Sequence, residues 1–207
     1  MAKILEAYCD GGAINNPGLA GWAFYIPGVA KGYGYVEFAT QNEMEITALT
    51  KCLSYIGKTT PAKIYCDSTY VVYGITQWIY GWMKKNWMTS SGNPVANREL
   101  WEELFKVYSP DIHEIVHVKG HSGVEGNEIA DSLVHKAREE KVVSNIIELS
   151  KFHDPETYQG VSPDEIVNAV DKIIVDFNNL TDYDKRSIAS SIRSKLIIFT
   201  EVLSNYE

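Results

Sequence analysis

The sequence predicts an α/β fold for its first two thirds. Residues 4–10 have the period-2 pattern of a strand, and residues 21–26 and 32–40, which follow turn residues, are rich in Trp, Phe, Tyr and Val, so that three antiparallel strands are predicted. Residues 40–140 then alternate helical patterns with two short apolar runs, at 62–67 and 112–118, as α/β proteins do. With 45% hydrophobic residues, the 207-residue chain can build a substantial core in one or two domains.

Charge and hydropathy exclude several classes of protein. Residues 1–140 carry 12 basic and 16 acidic side chains, and residues 141–207 carry 7 and 11, so each part has a net charge of −4. Any nucleic acid must therefore bind to a local basic patch rather than to a generally basic surface. No apolar run reaches the ~18 residues of a membrane span, and no signal-peptide pattern opens the chain, which predicts a cytoplasmic protein without membrane contact.

The three cysteines are predicted to be reduced core residues. Cys9, Cys52 and Cys66 all lie within apolar segments and lack the spacing of metal ligands. This pattern is typical of cytosolic proteins and argues against a disulfide framework or a zinc site.

The first strand is predicted to end on Asp10, because Gly11 and Gly12 follow it. The strand at 62–67 ends in the same way on Asp67, and each aspartate follows a cysteine. Open α/β sheets tend to place their chemistry at such strand ends, although a plain Asp-Gly turn is the ordinary alternative for Asp10. Two neighbouring aspartates repel each other unless a metal ion or a proton intervenes.

A helix is predicted to follow Thr40-Gln41-Asn42 and to run to about Ile56. Its buried stripe, at helical spacing, begins with an acid and consists of Glu45, Leu49, Cys52 and Ile56. Acids are common in a first helical turn, where the helix dipole favours them. A glutamate in line with a buried stripe, however, either loses solvation or faces a cation.

The sequence also contains a basic, aromatic segment that we call the handle. Its members are three tryptophans around a lysine pair: Trp78, Trp82, Lys84, Lys85 and Trp87. The alternative is that at least one of these rings belongs to the core.

Further on, His121 lies in a loop between two glycines, and Asp131 lies on a helix that begins near Asn127. By itself that helix could equally be a solvated face.

Several carboxylates without thiolate or paired-histidine spacing favour Mg²⁺ or Mn²⁺, which prefer hard oxygen ligands. Together with the handle, they point to two-metal cleavage of a phosphodiester, in which the ions lie about 3.5–4 Å apart.

Over residues 1 to about 140 the sequence resembles the type 1 ribonuclease H family. The matching motifs, in the family's order and spacing, are Tyr8-Cys-Asp10-Gly-Gly, Asn16-Pro17-Gly18, Asn42-Glu-Met44-Glu45, Cys66-Asp67-Ser68, Gly74-Ile-Thr-Gln-Trp78, Val118-Lys-Gly-His121-Ser-Gly and Asn127-Glu128-Ile-Ala-Asp131. The resemblance implies a ribonuclease H-like fold, with a mixed five-stranded sheet flanked by helices. It also implies an endonuclease that cuts the RNA strand of RNA/DNA hybrids with two Mg²⁺ ions, for which Mn²⁺ can substitute.

The resemblance assigns roles to individual residues. The metal-binding carboxylates would be Asp10, Glu45, Asp67 and Asp131. His121 would assist proton movement or product release. The substrate-binding set would be Asn16 and Asn42 on the RNA, Thr69 where glutamine is frequent, and the handle on the backbone of the DNA strand.

Two further departures from better-known bacterial members are Asn15 in place of a frequent glycine and Glu43 in place of a common arginine. They concern affinity for the hybrid rather than chemistry.

Three alternatives compete with an active ribonuclease H. The chain could be another nuclease of the same superfold, an inactive hybrid-binding module, or a partner-docking protein that retains the fold. The handle and the His121 loop argue against the first, and the complete set of acids argues against the other two.

The resemblance stops near residue 140, and we predict a catalytic domain at 1–150 followed by a helical extension at 151–207. Residues 151–161 have the composition of a linker. Caps at Ser162 and Thr181 begin two amphipathic helices, and Ile146, Ile147 and Leu149 are a candidate third element of the same bundle. Its net charge argues against hybrid binding, so a stabilising or partner-docking role is expected, and a monomer is favoured.

Overall fold

The structure is a computed structural model that describes residues 4–149. Its centre is a mixed six-stranded sheet in the order β5-β4-β1-β2-β3-β6. β1 runs parallel to β4, and β4 to β5, whereas the other neighbours are antiparallel. The strands are β1 (Leu5–Ala13), β2 (Gly18–Ile26), β3 (Ala30–Ala39), β4 (Ala62–Cys66), β5 (His113–His117) and β6 (Asn145–Glu148). The predicted α/β class and the three antiparallel N-terminal strands are confirmed.

Helices cover both faces of the sheet. They are α1 (Gln41–Ile56), α2 (Thr69–Tyr73), α3 (Ile79–Lys84), α4 (Arg98–Val107) and α5 (Glu125–Glu140), with a π-helical turn (Gly74–Trp78) between α2 and α3. The larger core lies between the sheet and α1 to α4. A smaller cluster packs α5 onto the opposite face through Leu133, Val134 and Ala137.

The sixth strand differs from the five implied by the family resemblance. β6 pairs antiparallel with β3, and the Leu149 N–H donates to the Val29 carbonyl at 2.7 Å. The assignment of Ile146, Ile147 and Leu149 to a helical bundle is therefore wrong. The open edge of β3 offers unpaired backbone groups to a short apolar segment, and helical patterning cannot reveal that partner. The predicted linker and the two capped helices lie outside the described residues.

The predicted end of the first strand at Asp10 is also wrong, because β1 continues through Gly11 and Gly12 to Ala13. A Cβ on Gly11 would lie 2.3 Å from the backbone nitrogen of Glu45. The glycine is needed because α1 crosses the strand at this point, and it does not terminate the strand.

α1 begins with a reciprocal cap that explains Glu43. The Glu43 carboxylate accepts hydrogen bonds from the Thr40 backbone N–H (2.6 Å) and hydroxyl (2.7 Å), and the Thr40 hydroxyl accepts from the Glu43 N–H. Glu43 thus fixes the start of the helix that carries Glu45. The predicted stripe is confirmed, because its four members are all buried.

The cysteine prediction is confirmed as well, since Cys9, Cys52 and Cys66 are free and buried. Among residues 4–149, no helix is both long enough and apolar enough to cross a bilayer.

Candidate active site

Three carboxylates from separate elements meet at one end of the sheet. Asp10 lies on β1, Glu45 on the second turn of α1, and Asp67 directly after β4. Each offers an oxygen, and these oxygens lie within 4.8 Å of one another. The parallel pairing of Cys9 with Cys66 explains the meeting of the aspartates, because the next residue on each strand emerges at the same edge. Asp10 and Glu45 are buried, whereas Asp67 is partly exposed.

Burial and mutual repulsion raise the pKa values of two of these carboxylates, Asp10 and Glu45. Burial, followed by the charges of Asp67 and Asp131, raises the pKa of Asp10 to about 7. Burial and the charges of Asp10 and Asp67 also raise the pKa of Glu45 well above its ordinary value. Negative charges crowded in a poorly solvated place are unfavourable unless a proton or a cation compensates them. A compact set of hard oxygen donors is what a divalent ion such as Mg²⁺ or Mn²⁺ requires, so these residues fit a metal site.

The cluster opens into a cleft of about 420 Å³ that also receives Asp131 from α5 and His121 from the loop before it. Asp131 is not one of the three carboxylates whose oxygens lie within 4.8 Å of one another. Its side chain is 30% exposed and faces the cleft from the opposite helix layer. The fourth predicted ligand is thus near the cluster without being part of its compact core.

His121 is exposed on a loop that packs closely against Asp67. Its own φ is 50°, in the left-handed region. A Cβ added to Gly120 would lie 2.8 Å from Oδ2 of Asp67, so only glycine allows the loop to approach this carboxylate. The histidine ring therefore belongs to the rim of the same cleft.

The predicted substrate contacts divide into two groups. Asn42 and Thr69 line the cleft beside the carboxylates. Asn16 does not line it, and its Oδ1 instead accepts a hydrogen bond from the Gln41 backbone N–H at 2.9 Å. Asn16 therefore fastens the β1–β2 turn to the first residue of α1.

The handle lies outside the cleft and is only partly exposed. Trp82 packs edge-on against the fully buried Trp101 at 5.4 Å, and the Arg98 guanidinium lies 5.4 Å from the centre of the Trp87 ring. Trp78 remains exposed. Lys84 and Lys85 are both exposed at the end of α3.

Sequence reasoning missed several residues of the cleft. Tyr70 lines the cleft, and its ring centroid lies 6.3 Å from that of Trp78. This aromatic contact connects the cleft with the handle. Gln41 also lines the cleft, and its Nε2 donates to Oε1 of Glu45 at 3.4 Å. The signal for Gln41 was its position one helical turn before Glu45. Ser68 and Gly120 complete the missed residues of the lining.

Comparison with known proteins identifies relatives over the described part of the chain. The RNase H family model matches residues 2–139. Ribonuclease H from Methylobacillus flagellatus is 39% identical over 138 residues, which are 65% of this chain and 91% of that protein. Ribonuclease H from Dichelobacter nodosus is 40% identical over 146 residues, covering 67% of this chain and 94% of that protein.

Among solved structures, LC9-RNase H1, a type 1 RNase H with the type 2 active-site motif, superposes with a TM-score of 0.60 at 21% identity. The match covers 79% of this chain and 83% of LC9-RNase H1 and concerns the fold. The solution structure of the PFV RNase H domain has the same kind of similarity, with a TM-score of 0.54 at 21% identity over 66% of this chain and 94% of that domain.

Proposed function

The chain belongs to the RNase H family, and we propose on that premise that it is an endonuclease that hydrolyses the RNA strand of RNA/DNA hybrids. The observation that carries the proposal is the cluster of Asp10, Glu45 and Asp67 at the base of an open cleft. An open cleft lined by polar groups fits a polymer substrate better than a small apolar ligand.

We propose Mg²⁺ as the natural ion, in two positions, with Mn²⁺ able to replace it. Asp10, Glu45 and Asp67 would hold the ions together with Asp131. When bound, such ions activate the attacking water and stabilise the leaving oxygen of a phosphodiester. The raised pKa values of Asp10 and Glu45 support this assignment, because burial and the neighbouring carboxylates disfavour their negative charge unless a cation or a proton compensates it.

The remaining residues of the cleft position the substrate and move protons. Asn42 and Thr69 lie where they can hydrogen-bond a strand that enters the cleft. On an RNA strand, 2′-hydroxyl groups displayed in the minor groove are suitable partners for such side chains. His121, exposed at the rim, is suited to carry a proton to or from the reacting phosphate.

A cleavage assay tests the proposed function. An end-labelled RNA/DNA hybrid, duplex RNA, duplex DNA and single-stranded RNA are incubated with the protein, with Mg²⁺ and with chelator. Metal-dependent cuts confined to the RNA strand of the hybrid are expected. Cleavage of duplex DNA would indicate another nuclease of the same superfold, and hybrid binding without cuts would indicate a binding module.

We predict that the handle binds substrate through phosphate charge. Replacing Lys84 and Lys85 with alanine should weaken hybrid binding and make the plot of log affinity against log salt shallower by roughly 1 to 2, since each neutralised phosphate contributes about 0.9. Affinity is measured by fluorescence anisotropy at several salt concentrations. As a matched control, Lys51 on α1 and Lys58 just after that helix are both replaced with alanine, and this variant should keep the wild-type slope. An unchanged slope for the handle variant would contradict the assignment.

We further propose that residues 1–150 form the catalytic domain and that residues 151–207 are an accessory extension with a stabilising or partner-docking role. The pairing of β6 with β3 supports a boundary beyond Glu148. A monomer in the cytoplasm is part of the same proposal, and three buried free cysteines suit that reducing compartment.

Deleting residues 151–207 should leave the rate of hybrid cleavage within a few-fold of the full chain. Circular dichroism first establishes that the truncated protein is folded, and size-exclusion chromatography gives the oligomeric state of both forms. A folded but inactive truncation would assign the extension to the catalytic machinery instead.

A further inference from the structure

Arg138, on α5, is a buried cation that lies against β1, the strand that carries Asp10. Its residue is only 8% exposed, and within residues 4–149 no carboxylate forms an ion pair with its guanidinium group. It nevertheless acts on Asp10, whose pKa its charge lowers in opposition to the larger effect of burial. A buried charge without a paired carboxylate is unfavourable by itself, so its placement requires a reason.

The sheet is shaped to receive this side chain. Gly12 on β1 and Gly21 on β2 are cross-strand partners, which leaves a strip of backbone without side chains on the face that α5 covers. A Cβ added to Gly12 would lie 3.0 Å from Nη1 of Arg138, and one added to Gly21 would lie 3.3 Å from its Cγ. The arginine therefore lies in a channel that two glycines keep open, which restricts its orientation.

The guanidinium group determines which ring nitrogen of the neighbouring His135 carries the proton. Nη2 of Arg138 lies 2.9 Å from Nδ1 of His135, one helical turn away. A guanidinium can only donate hydrogen bonds, so Nδ1 must accept, and the ring proton must reside on Nε2. That Nε2 lies 3.6 Å from Oδ1 of Asp131, one further turn along α5. The distance exceeds a hydrogen bond, but it is short enough for the protonated Nε2 to interact electrostatically with the carboxylate.

Asp131 is the ligand that needs such support. The other three carboxylates are confined by burial or by close neighbours, whereas Asp131 is partly exposed and stands outside their compact cluster. We propose that Arg138 is a positioning residue, which acts through His135 to orient Asp131 towards the metal site. The inference rests on the proposed function, and it assigns to Arg138 and His135 the role of orienting a metal ligand without binding the metal themselves.

The first test does not depend on catalysis. Histidine side-chain ¹⁵N NMR of the metal-free full chain reports which ring nitrogen carries the proton, and His135→Ala identifies the resonance. The wild type is expected to show an unprotonated Nδ1 and a protonated Nε2 for His135. Arg138→Leu should lower the fraction of this tautomer to that of a solvent-exposed histidine. A protonated Nδ1 in the wild type would overturn the proposal, whether or not the protein cleaves hybrids.

The second test measures metal affinity. The metal-free protein is titrated with Mn²⁺ and followed by electron paramagnetic resonance, and the Mg²⁺ concentration for half-maximal cleavage is measured beside it. Groups that orient metal ligands typically contribute 10–100-fold in affinity, so Arg138→Leu and His135→Ala should each weaken binding by roughly tenfold. The double variant should be no weaker than either single one, because both changes interrupt the same contact.

Two variants make the result specific. Lys136→Leu removes a positive charge from the same helix, where Lys136 pairs with the exposed Glu140, and should leave Mn²⁺ affinity unchanged. His135→Gln retains an acceptor for Arg138 and a donor for Asp131, and should recover most of the affinity lost in His135→Ala.

Additive losses in the double variant, or equal losses in Lys136→Leu and Arg138→Leu, would show that only general charge is involved. Should Arg138→Leu not fold, the comparison of His135→Ala with His135→Gln decides alone, since the exposed ring can be replaced without disturbing the core. If the wild type does not cleave hybrids but Mn²⁺ binding still shows the same non-additive losses in the Arg138 and His135 variants, the proposed function is contradicted and the positioning role stands.

Discussion

Asp10→Asn is expected to abolish hybrid cleavage and, at the same time, to make the metal-free protein more stable. The substitution removes a charge that we propose to bind the metal ions at the centre of the cluster, so both neutralisation and positioning of the ions should be lost. It also removes the buried negative charge that faces Asp67 and Asp131. Binding of the hybrid should persist, because the handle and the rim of the cleft are unchanged.

The size of the stability gain depends on pH in a defined direction. The pKa of Asp10 is about 7 in the folded protein and 3.8 ordinarily, so the folded state binds the proton more tightly than the unfolded state does. Stability therefore falls as the pH rises from about 4 to 7 and stays lowered above that range. The shift corresponds to an upper limit on the order of 4 kcal/mol. The asparagine variant should gain little at pH 4 and most at pH 8.

Urea unfolding of both proteins with chelator at pH 4, 6 and 8 measures this difference, beside the cleavage assay. Asp111→Asn, at an exposed position before β5, is the matched control and should change neither quantity. Mg²⁺ should stabilise the wild type against unfolding and have less effect on the Asp10 variant, because a ligand stabilises the state that binds it. Wild-type turnover by Asp10→Asn would contradict the assignment of Asp10 as a metal ligand.

The local pattern was sufficient to predict the elements that carry the site, but not all of their ends. The repeated Cys-Asp sequence at Asp10 and Asp67 marked two adjacent strands, and the stripe behind Glu45 marked a buried helix face. The strand continues beyond Asp10 because Gly11 makes room for α1, and that contact exists only once the helix has packed. A glycine that ends a strand and one that admits a neighbour look the same in sequence.

Other features were out of reach because they depend on distant partners. β6 becomes a strand through the free edge of β3, more than a hundred residues earlier in the chain. Arg138 is buried because the Gly12 and Gly21 pair leaves room for it, and nothing in its own helix indicates that channel. In the handle, the sequence could not decide which ring belongs to the core, whereas the structure shows Trp82 and Trp87 partly buried against the core and Trp78 exposed.

His121→Ala should lower turnover by roughly 10²–10⁴-fold without abolishing it, which is the usual contribution of a side chain that transfers a proton. The His121 ring is exposed at the rim of the cleft and lies outside the compact cluster of Asp10, Glu45 and Asp67 that we propose as the metal site. Gly120, and not His121, makes the close approach to Asp67, so the variant should keep both the loop contact and the donor set.

The expected signature is a reduced rate at saturating substrate with an unchanged Mg²⁺ requirement and unchanged affinity for the hybrid. Single-turnover and steady-state rates measured together separate a slowed chemical step from slowed product release, since only the former lowers both. Added imidazole should restore part of the rate if the ring transfers a proton. Asp67→Asn, assayed beside it, should lose metal affinity instead. Complete inactivity of His121→Ala, or a raised Mg²⁺ requirement, would show that the ring is a metal ligand or a structural support. A side chain that only carries protons at the rim should not change how Asp10, Glu45 and Asp67 bind an ion.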